Sequence, residues 1–138
     1  MRIKVVEGGI VPTKAYEDDG CYDLCARTRI TVQGREEVRV PLGVAMEIPA
    51  GYRAIIRPRS SVLRKKRLLG VTGVIDSGYR GELLAQVVGL WEDVETVIEA
   101  GERIFQIAFE KVVDFPLEVV QELDETERGK GGFGSSSH

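Results

Sequence analysis

Apolar residues along this chain occur in short runs or alternate with polar residues, which is the pattern of β-strands. Gly, Pro and acidic residues separate these runs at short intervals. The pattern predicts strands in the segments RIKVV, YDLCARTRITV, EVRVPLGVAMEIP, YRAIIRP, VTGVI, ELLAQVVGL, ETVIEA, RIFQIAF and LEVVQEL. We therefore expect an all-β sandwich or barrel. Its edge strands would be covered either by closure of the barrel or by oligomerisation.

Two segments depart from the strand pattern. In SSVLRKKRLL, Ser60 or Ser61 is predicted to cap a short helix that ends near Gly70. From Arg128 onward the chain is mostly glycine, serine and charged residues, with too little apolar surface to offset the entropy of ordering. We expect one β domain over residues 1–123 and a flexible arm over 124–138.

The charge of the chain limits its partners. A net charge of −3 and a pI of about 5.3 argue against general nucleic-acid binding. Positive charge is nevertheless concentrated at Arg57, Arg59, Arg64, Lys65, Lys66 and Arg67. This cluster fits a small anion, although Lys65 and Lys66 also fit a solvated helix face. No apolar run is long enough for a membrane span, and MRIKVVEGG lacks a signal-peptide core, so we expect a cytoplasmic protein that contacts no membrane.

The cysteines and the histidine suggest neither a disulfide nor a zinc site. Cys21 and Cys25 lie in a segment that we interpret as extended, which puts their Cα atoms roughly 13 Å apart and beyond disulfide reach. We expect both to be reduced. The single histidine, His138, is the last residue and offers no fourth ligand for zinc.

The segments GVIDSGYRGE and RPRSSV carry candidate chemistry. In the first, two apolar residues precede Asp76, and a Ser-Gly turn before Tyr79 predicts a β-hairpin with both side chains at its mouth. Asp76 by itself also fits an ordinary turn residue. In RPRSSV, Arg59 and Ser60 stand where a helix would begin, which favours anion binding. A plain helix cap with a surface arginine is the alternative.

Polar residues within predicted strands, and an aromatic residue in the tail, also need explanation. Asp23 lies between apolar neighbours, so it needs an arginine or a metal with its waters as partner. In GERIFQIAF, Arg103 lies at the start of a predicted strand, and Gln106 lies among apolar residues where its amide needs hydrogen bonds. The tail contains Phe133 among glycines, shortly after Arg128. Such a segment is either a frayed terminus or a lid that grips phosphate and stacks on a base.

Five segments in this order, GCYDLCA, RPRSSV, GVIDSGYRGE, GERIFQIAF and RGKGGFGSSS, resemble the motifs of the trimeric deoxyuridine triphosphatases, the dUTP diphosphatases. The resemblance implies an all-β jelly roll of the β-clip type, with one short helix and a flexible C-terminal arm. It also implies a homotrimer with shared active sites. One subunit would supply the segments around Asp23, Ser60 and Gln106, a second the hairpin 73–81, and the third its arm.

The family reaction is attack of water on the α-phosphorus of dUTP, which yields dUMP and pyrophosphate with Mg²⁺ as cofactor. This limits uracil incorporation into DNA and supplies dUMP for dTMP synthesis. By resemblance, Asp76 orients and deprotonates the water, Ser60 and Arg128 complete the catalytic set, and Asp23 contacts waters of a Mg²⁺ held mainly by the phosphates. The resemblance implies substrate binding by Arg59, Ser60, Ser61, Gly73, Val74, Ile75, Asp76, Tyr79, Gln106, Arg128, Phe133, Gly134, Ser135 and Ser136.

The sequence departs from the common family pattern at a few positions. Gly20-Cys21 replaces Ala-Gly, Gly78 replaces an aspartate, and Ser135-Ser136-Ser137 replaces Ser-Thr-Gly. One rival interpretation is a deoxycytidine triphosphate deaminase, in which a catalytic glutamate would stand where this chain has Gln86. The other is a nucleotide-binding regulator without turnover.

Overall fold

The computed structural model describes residues 1–132. Within this range the strands are β1 (Arg2–Val5), β2 (Tyr22–Cys25), β3 (Ile30–Gln33), β4 (Glu37–Pro41), β5 (Val44–Glu47), β6 (Tyr52–Pro58), β7 (Leu68–Val71), β8 (Gly73–Ile75), β9 (Leu84–Gly89), β10 (Glu95–Ile98) and β11 (Arg103–Lys111). The helix is α1 (Ser60–Lys66), between β6 and β7. The predicted all-β fold with one short helix is confirmed.

The strands form four antiparallel sheets. A four-stranded sheet has the order β2-β11-β6-β8 and a three-stranded sheet has the order β4-β9-β7. Two further pairs, β1-β5 and β10-β3, complete the fold. Strands that are distant in sequence therefore become neighbours, and the segments that carry candidate chemistry meet through this pairing.

One hydrophobic core joins these sheets. The four-stranded sheet contributes Leu24, Ile56 and Phe105, and the three-stranded sheet contributes residues such as Val40 and Val87, all at most 2% exposed. Strand β9 shows why the sequence forms this structure, because its residues alternate between buried and more exposed positions. Such alternation directs one face of a strand to the core and the other outward.

Several of the predicted strands differ in the structure. EVRVPLGVAMEIP contains both β4 and β5, and VTGVI contains the end of β7 and all of β8. The segment 22–32 forms two strands because the chain changes partners, with β2 paired to β11 and β3 paired to β10. The prediction of a strand at 117–123 is wrong for the described chain. Leu117 and Val119 are 95% and 99% exposed, and no strand among residues 1–132 lies beside them to accept their backbone hydrogen bonds.

Helix α1 is shorter than predicted and begins differently. Arg67 has a φ of 55°, and its left-handed backbone ends the helix before Leu68, which is buried as the first residue of β7. Arg59 occupies the N-cap position without a side-chain capping bond, so the predicted cap by Ser60 or Ser61 is wrong.

The predicted β-hairpin around Asp76 is also wrong, because the strands before and after the turn do not pair with each other. Strand β8 pairs with β6, whereas β9 pairs with β4 and β7. A turn does form, since the Tyr79 N–H donates to the Asp76 carbonyl oxygen at 3.1 Å. This turn carries the chain from one sheet to another, because residues on its two sides have different strand partners.

No helix in the part of the chain that the structure describes has both the length and the apolar composition that crossing a bilayer requires.

We predict that Gly89→Ala destabilises the protein. A Cβ at residue 89 would lie 1.7 Å from the Gly34 carbonyl oxygen, and backbone cannot move aside as a flexible side chain can. We expect a loss of about 1–3 kcal/mol in the free energy of unfolding. Urea denaturation at one fixed protein concentration would measure it, with Gly20→Ala as the control because a Cβ there meets nothing within 4 Å. Equal stability of the two variants would contradict this packing.

Candidate active site

Four of the predicted site residues meet in one cleft of about 300 Å³, here called the Asp23 cleft. Gln106 on β11 lies directly opposite Asp23 on β2, and β11 pairs on its other side with β6. Arg59 and Ser60 follow the end of β6, where the Arg59 N–H donates to the Ile104 carbonyl oxygen at 2.9 Å. Three segments that are distant in sequence thus converge through strand register. The full lining is Ala15, Asp19, Gly20, Cys21, Asp23, Arg59, Ser60 and Gln106.

Asp23 has two arginine partners. Its Oδ2 accepts a hydrogen bond from Arg59 Nη1 at 2.8 Å, and Arg103 Nη1 lies 3.6 Å from the same oxygen. The Asp23 side chain is only 12% exposed, so these charges interact more strongly than in bulk water. A second carboxylate, Asp19, lines the same cleft, so the charges of the two arginines are balanced there. The suitability of the Asp23 cleft for an anion therefore depends on its hydrogen-bond donors.

Polar groups in this cleft remain available to a ligand. Ser60 is exposed at the first position of α1, and Ser61 beside it is half-buried. The Gln106 amide donates only a long bond of 3.5 Å to the Pro58 carbonyl oxygen, at the limit of hydrogen bonding. The arrangement offers a guanidinium, a hydroxyl and an amide, which all donate hydrogen bonds and so suit phosphate oxygens.

The two cysteines lie near this cleft and both are free. Cys21 lines it and is half-buried, whereas Cys25 is in the core. Burial raises the pKa of the Cys25 thiol. The charges of Arg103 and Arg59 lower this pKa and the charge of Asp23 raises it, each by less than burial does. Cys25 is consequently a neutral core thiol at neutral pH.

Asp76 lies in a different cleft of about 310 Å³, the Asp76 cleft, whose lining is Gly51, Tyr52, Arg53, Val74, Asp76, Ser77, Val112 and Asp114. It directly follows β8, which pairs with the central residues Ala54–Ile56 of β6, with Ile75 opposite Ala54. Asp76 is exposed, and among residues 1–132 it has no ion-pair partner within 4 Å. Tyr79 is held by its hydroxyl, which donates to the Glu82 carbonyl oxygen at 3.0 Å.

The two clefts lie at opposite ends of β6. Tyr52 and Arg53 at its start line the Asp76 cleft, while Arg59, just past its end, lines the Asp23 cleft. A strand rises about 3.3 Å per residue, so these ends are separated by about 20 Å. Asp76 therefore cannot act on a phosphate that Arg59 of the same chain binds, and the predicted set is divided within one chain.

The remaining predicted residues are located as follows. Gly73, Val74 and Ile75 form β8, which is an edge of the four-stranded sheet within the described chain. Arg128 is exposed and its Nε donates to the Gly131 carbonyl oxygen at 2.9 Å, and it lines neither cleft. Four positions lie outside the described residues: Phe133, Gly134, Ser135 and Ser136.

Sequence reasoning missed some of the residues that line these clefts. Arg103 was singled out only as the start of a strand, and its contact with Asp23 depends on the register between β11 and β2. Asp19 and Ala15 enter the Asp23 cleft from the loop before β2. The acidic Gly-containing turn before YDLC was the one local signal for this loop, because such residues mark turns next to strands.

The side chains that could bind a metal decide whether Mg²⁺ fits this cleft. No group of three or more His, Cys, Asp or Glu side chains within residues 1–132 could hold a metal by itself. Asp23 and Asp19 both line this polar cleft, and Mg²⁺ is commonly bound by one or two carboxylates together with waters and substrate phosphates. The residues therefore fit a metal that arrives with a phosphate ligand.

Comparison with known proteins identifies the family. The family model described as dUTPase matches residues 7–137. The deoxyuridine 5'-triphosphate nucleotidohydrolase of Fusobacterium nucleatum subsp. nucleatum is 38% identical, over 97% of this chain and 95% of that protein. The enzyme of the same name from Finegoldia magna is 37% identical over the full length of both.

Solved structures agree with this result. The dUTPase of Staphylococcus bacteriophage 80alpha with dUpNHpp has a TM-score of 0.90 and 26% identity, covering 98% of this chain and 96% of that one. A mutant dUTPase from phage phi11 of S. aureus, whose structure reveals the coordination of a structural Mg(II) ion, has a TM-score of 0.80. It is 22% identical and covers 88% of this chain and 96% of that one, so this similarity concerns the fold alone. With a family model that matches nearly its whole length, this chain belongs to the dUTPase family.

Proposed function

We propose that this protein hydrolyses dUTP to dUMP and pyrophosphate by attack of water on the α-phosphorus. Family membership and the names of its relatives support this reaction. The hydrogen-bond donors of the Asp23 cleft, on Arg59, Ser60 and Gln106, support a triphosphate substrate. The reaction removes dUTP before uracil enters DNA and supplies dUMP for dTMP synthesis. A free deoxynucleotide substrate is consistent with our expectation of a cytoplasmic enzyme.

The observation that carries the proposal is the separation of the Asp23 and Asp76 clefts by the length of β6. A reaction that needs both clefts requires a second copy of the chain. We propose a homotrimer in which one subunit supplies the Asp23 cleft, the next supplies residues 73–81, and the third supplies Arg128 from its arm. The domain of residues 1–123 and the arm of 124–138 are part of this proposal.

In this scheme phosphate is bound by groups of the Asp23 cleft. Arg59, Ser60 and Gln106 donate hydrogen bonds to phosphate oxygens, with Ser61 next to them on α1. These contacts strengthen as negative charge grows on the departing pyrophosphate, which is how preorganised donors lower a barrier. Arg128, with Ser135 and Ser136, adds contacts to the γ-phosphate from the arm, and Phe133 and Gly134 cover the base.

The Asp23 cleft also accommodates the cofactor, which we propose is Mg²⁺. Arg59 turns from Asp23 to the phosphates, and Arg103 remains as the partner of the carboxylate. Asp23 then accepts hydrogen bonds from the waters of a metal that the phosphates hold. Mg²⁺ supplies neutralisation of phosphate charge when it is bound.

Asp76 serves as the general base for the attacking water. An exposed carboxylate without an internal partner gains basicity when a neighbouring subunit and the arm close over it, because loss of solvent disfavours its charged form. This role requires no rearrangement within the chain, since Asp76 is already at the surface that faces solvent.

The uracil is read by the open edge of β8. Only one side of this strand pairs with β6 among the described residues, so outward-facing backbone groups of Gly73, Val74 and Ile75 remain free for a base. Gly73 suits close packing, since a Cβ there would lie 3.0 Å from Ile56. A base with the wrong donor and acceptor pattern, such as cytosine, leaves buried groups unpaired and is rejected.

Tyr79 supports selection of the sugar. Its hydroxyl is fixed on the Glu82 carbonyl oxygen, so the ring has a defined position beside Asp76. We propose that the ring packs under the deoxyribose and leaves no room for a 2′-hydroxyl, while a tight pocket around the base excludes the 5-methyl group of thymine.

The deaminase alternative is disfavoured by Gln86. This side chain is on β9 of the three-stranded sheet, where its amide donates to the Glu37 carboxylate, and it lines neither cleft. An amide also cannot act as a general base.

The proposal is tested with four substrates. We expect the protein with Mg²⁺ to convert dUTP to dUMP and pyrophosphate, and to leave dCTP, dTTP and UTP largely unchanged, as resolved by chromatography and a pyrophosphate assay. Formation of dUTP or dUMP from dCTP would indicate a deaminase instead. Absence of any turnover would favour a nucleotide-binding regulator.

Replacing the proposed base should separate chemistry from binding. We predict that Asp76→Asn lowers kcat by about 10²- to 10⁴-fold, the usual contribution of a general base, while the dissociation constant for dUpNHpp changes little. Steady-state kinetics and calorimetry would measure the two quantities. Asp93→Asn, in an exposed loop, is the matched control and should keep wild-type kcat. Full activity of Asp76→Asn would refute the assignment.

Mixed oligomers test whether sites are shared. A chain truncated after Asp124 should remain trimeric and lose most activity, because it lacks Arg128 and the rest of the arm. Co-refolding it with Asp76→Asn should restore part of the activity, since some sites then combine an intact Asp76 with an intact arm from another chain. Mixtures no more active than either parent would rule out a shared site.

A further inference from the structure

Helix α1 carries positive charge that the proposed chemistry does not use. Arg64, Lys65 and Arg67, here called the α1 basic face, are exposed. None of the three has a carboxylate within 4 Å among residues 1–132. The guanidinium of Arg67 lies 5.8 Å from the ring centre of Trp91, which fixes its direction.

Lys66 differs from its neighbours on the helix. Its Nζ lies 2.9 Å from Glu102 Oε2 and donates to the Val97 carbonyl oxygen at 2.6 Å. The same helix therefore carries one lysine with an internal carboxylate partner and, one residue away, Lys65 without one. Lys65 is therefore free of any ion pair within residues 1–132 and is accessible to a carboxylate from another chain.

The end of the domain and the start of the arm carry the opposite charge. Residues 118–127 include acidic residues and no basic ones: Glu118, Glu122, Asp124, Glu125 and Glu127. All of them are exposed and none has an ion pair within the described chain. The segment 122–127 is here called the acidic segment. Its carboxylates are available to a cationic surface because they form no ion pair with residues 1–132 of their own chain.

The acidic segment is long enough to reach the α1 basic face of a neighbouring subunit. In the proposed trimer Arg128 reaches the phosphates beside Ser60, at the start of a neighbour's α1. Asp124 and Glu125 precede Arg128 by three or four residues, or about 10–14 Å of extended chain. Helix α1 is about 10 Å long, since it has seven residues that each rise 1.5 Å. The acidic segment can therefore span α1 as far as Arg64 and Lys65.

We infer that the α1 basic face of one subunit binds the acidic segment of another subunit's arm. This inference rests on the proposed function, because it takes the position of Arg128 from the shared site. Opposite charges at this distance guide the arm to its place before Arg128 meets phosphate. The contact is exposed, so salt weakens it.

Zero-length cross-linking tests this contact directly. Carbodiimide treatment of the full chain should couple Lys65 to Asp124 or Glu125, as identified by mass spectrometry, and more so with dUpNHpp bound. Mixed oligomers of ¹⁵N-labelled and unlabelled chains should show that the coupling joins different chains. The Lys66–Glu102 coupling within one chain is an internal positive control. Lys65→Arg keeps the charge but lacks the amine, and should abolish the Lys65 product alone.

The outcomes separate the two proposals. A trimer that yields the Lys66 product but no product between Lys65 and the arm would overturn the inference and leave the shared site intact. A monomer by light scattering would overturn the shared site itself. Coupling of Lys65 only within its own chain would also overturn the inference.

Charge reversal provides a second test. Arg64→Glu with Lys65→Glu, or Asp124→Lys with Glu125→Lys, should each raise KM for dUTP by about 3- to 10-fold at low salt, as expected for losing exposed ion pairs. The combined variant should return to within about twofold of wild type, because the pairs form again with their signs exchanged. Additive defects in the combined variant would exclude a direct contact.

A matched control measures the effect of net charge alone. Arg29→Glu with Arg35→Glu makes the same change in charge at two loop arginines that already pair with Glu99 and Glu92. Its KM should stay near the wild-type value, and a rise equal to that of the α1 variant would attribute the effect to overall charge and overturn the inference.

Discussion

Strand β6 determines where the chemistry of this protein can occur. Its pairing with β11 on one side and β8 on the other fixes Arg59 beyond one end and Asp76 beside the other. The strand cannot bend these groups together, because its central residues Ala54, Ile55 and Ile56 are all buried. A stable core thus keeps the Asp23 and Asp76 clefts about 20 Å apart within one chain. In the proposed trimer, assembly of chains would bring together one cleft of each kind from different subunits.

The ion pairs of Asp23 are a second constraint on the proposed site. A carboxylate that is nearly buried needs a cationic partner, and two arginines approach Asp23 from different elements. Because there are two, one can turn to a ligand while the other keeps the carboxylate compensated. The cleft can therefore exchange an internal ion pair for a phosphate contact without leaving a buried charge unpaired.

The segment after β11 has a different character from the rest of the chain. Its apolar residues at 117 and 119 are almost fully exposed, and its acidic residues lack partners in the described chain. An isolated domain has no reason to keep both features, since exposed apolar residues contribute no burial energy. They are understandable if the segment lies against other copies of the chain. The same view explains why the sequence predicted a strand there, because the apolar pattern suits a packed surface that one chain does not provide.

The sequence by itself determined the all-β class and the position of the short helix, and it supplied the residues proposed to bind phosphate, since alternation, turn residues and side-chain chemistry are local properties. Strand β6 was predicted with its full extent for this reason. The family could also be recognised, because its motifs are short and keep their order. Only the tertiary structure decided that β8 pairs with β6 rather than β9, that Arg103 lies beside Asp23, and that the Asp23 and Asp76 clefts are separate. These features depend on which distant strands become neighbours, and that choice is made by burial of the whole core and not by any local stretch of sequence.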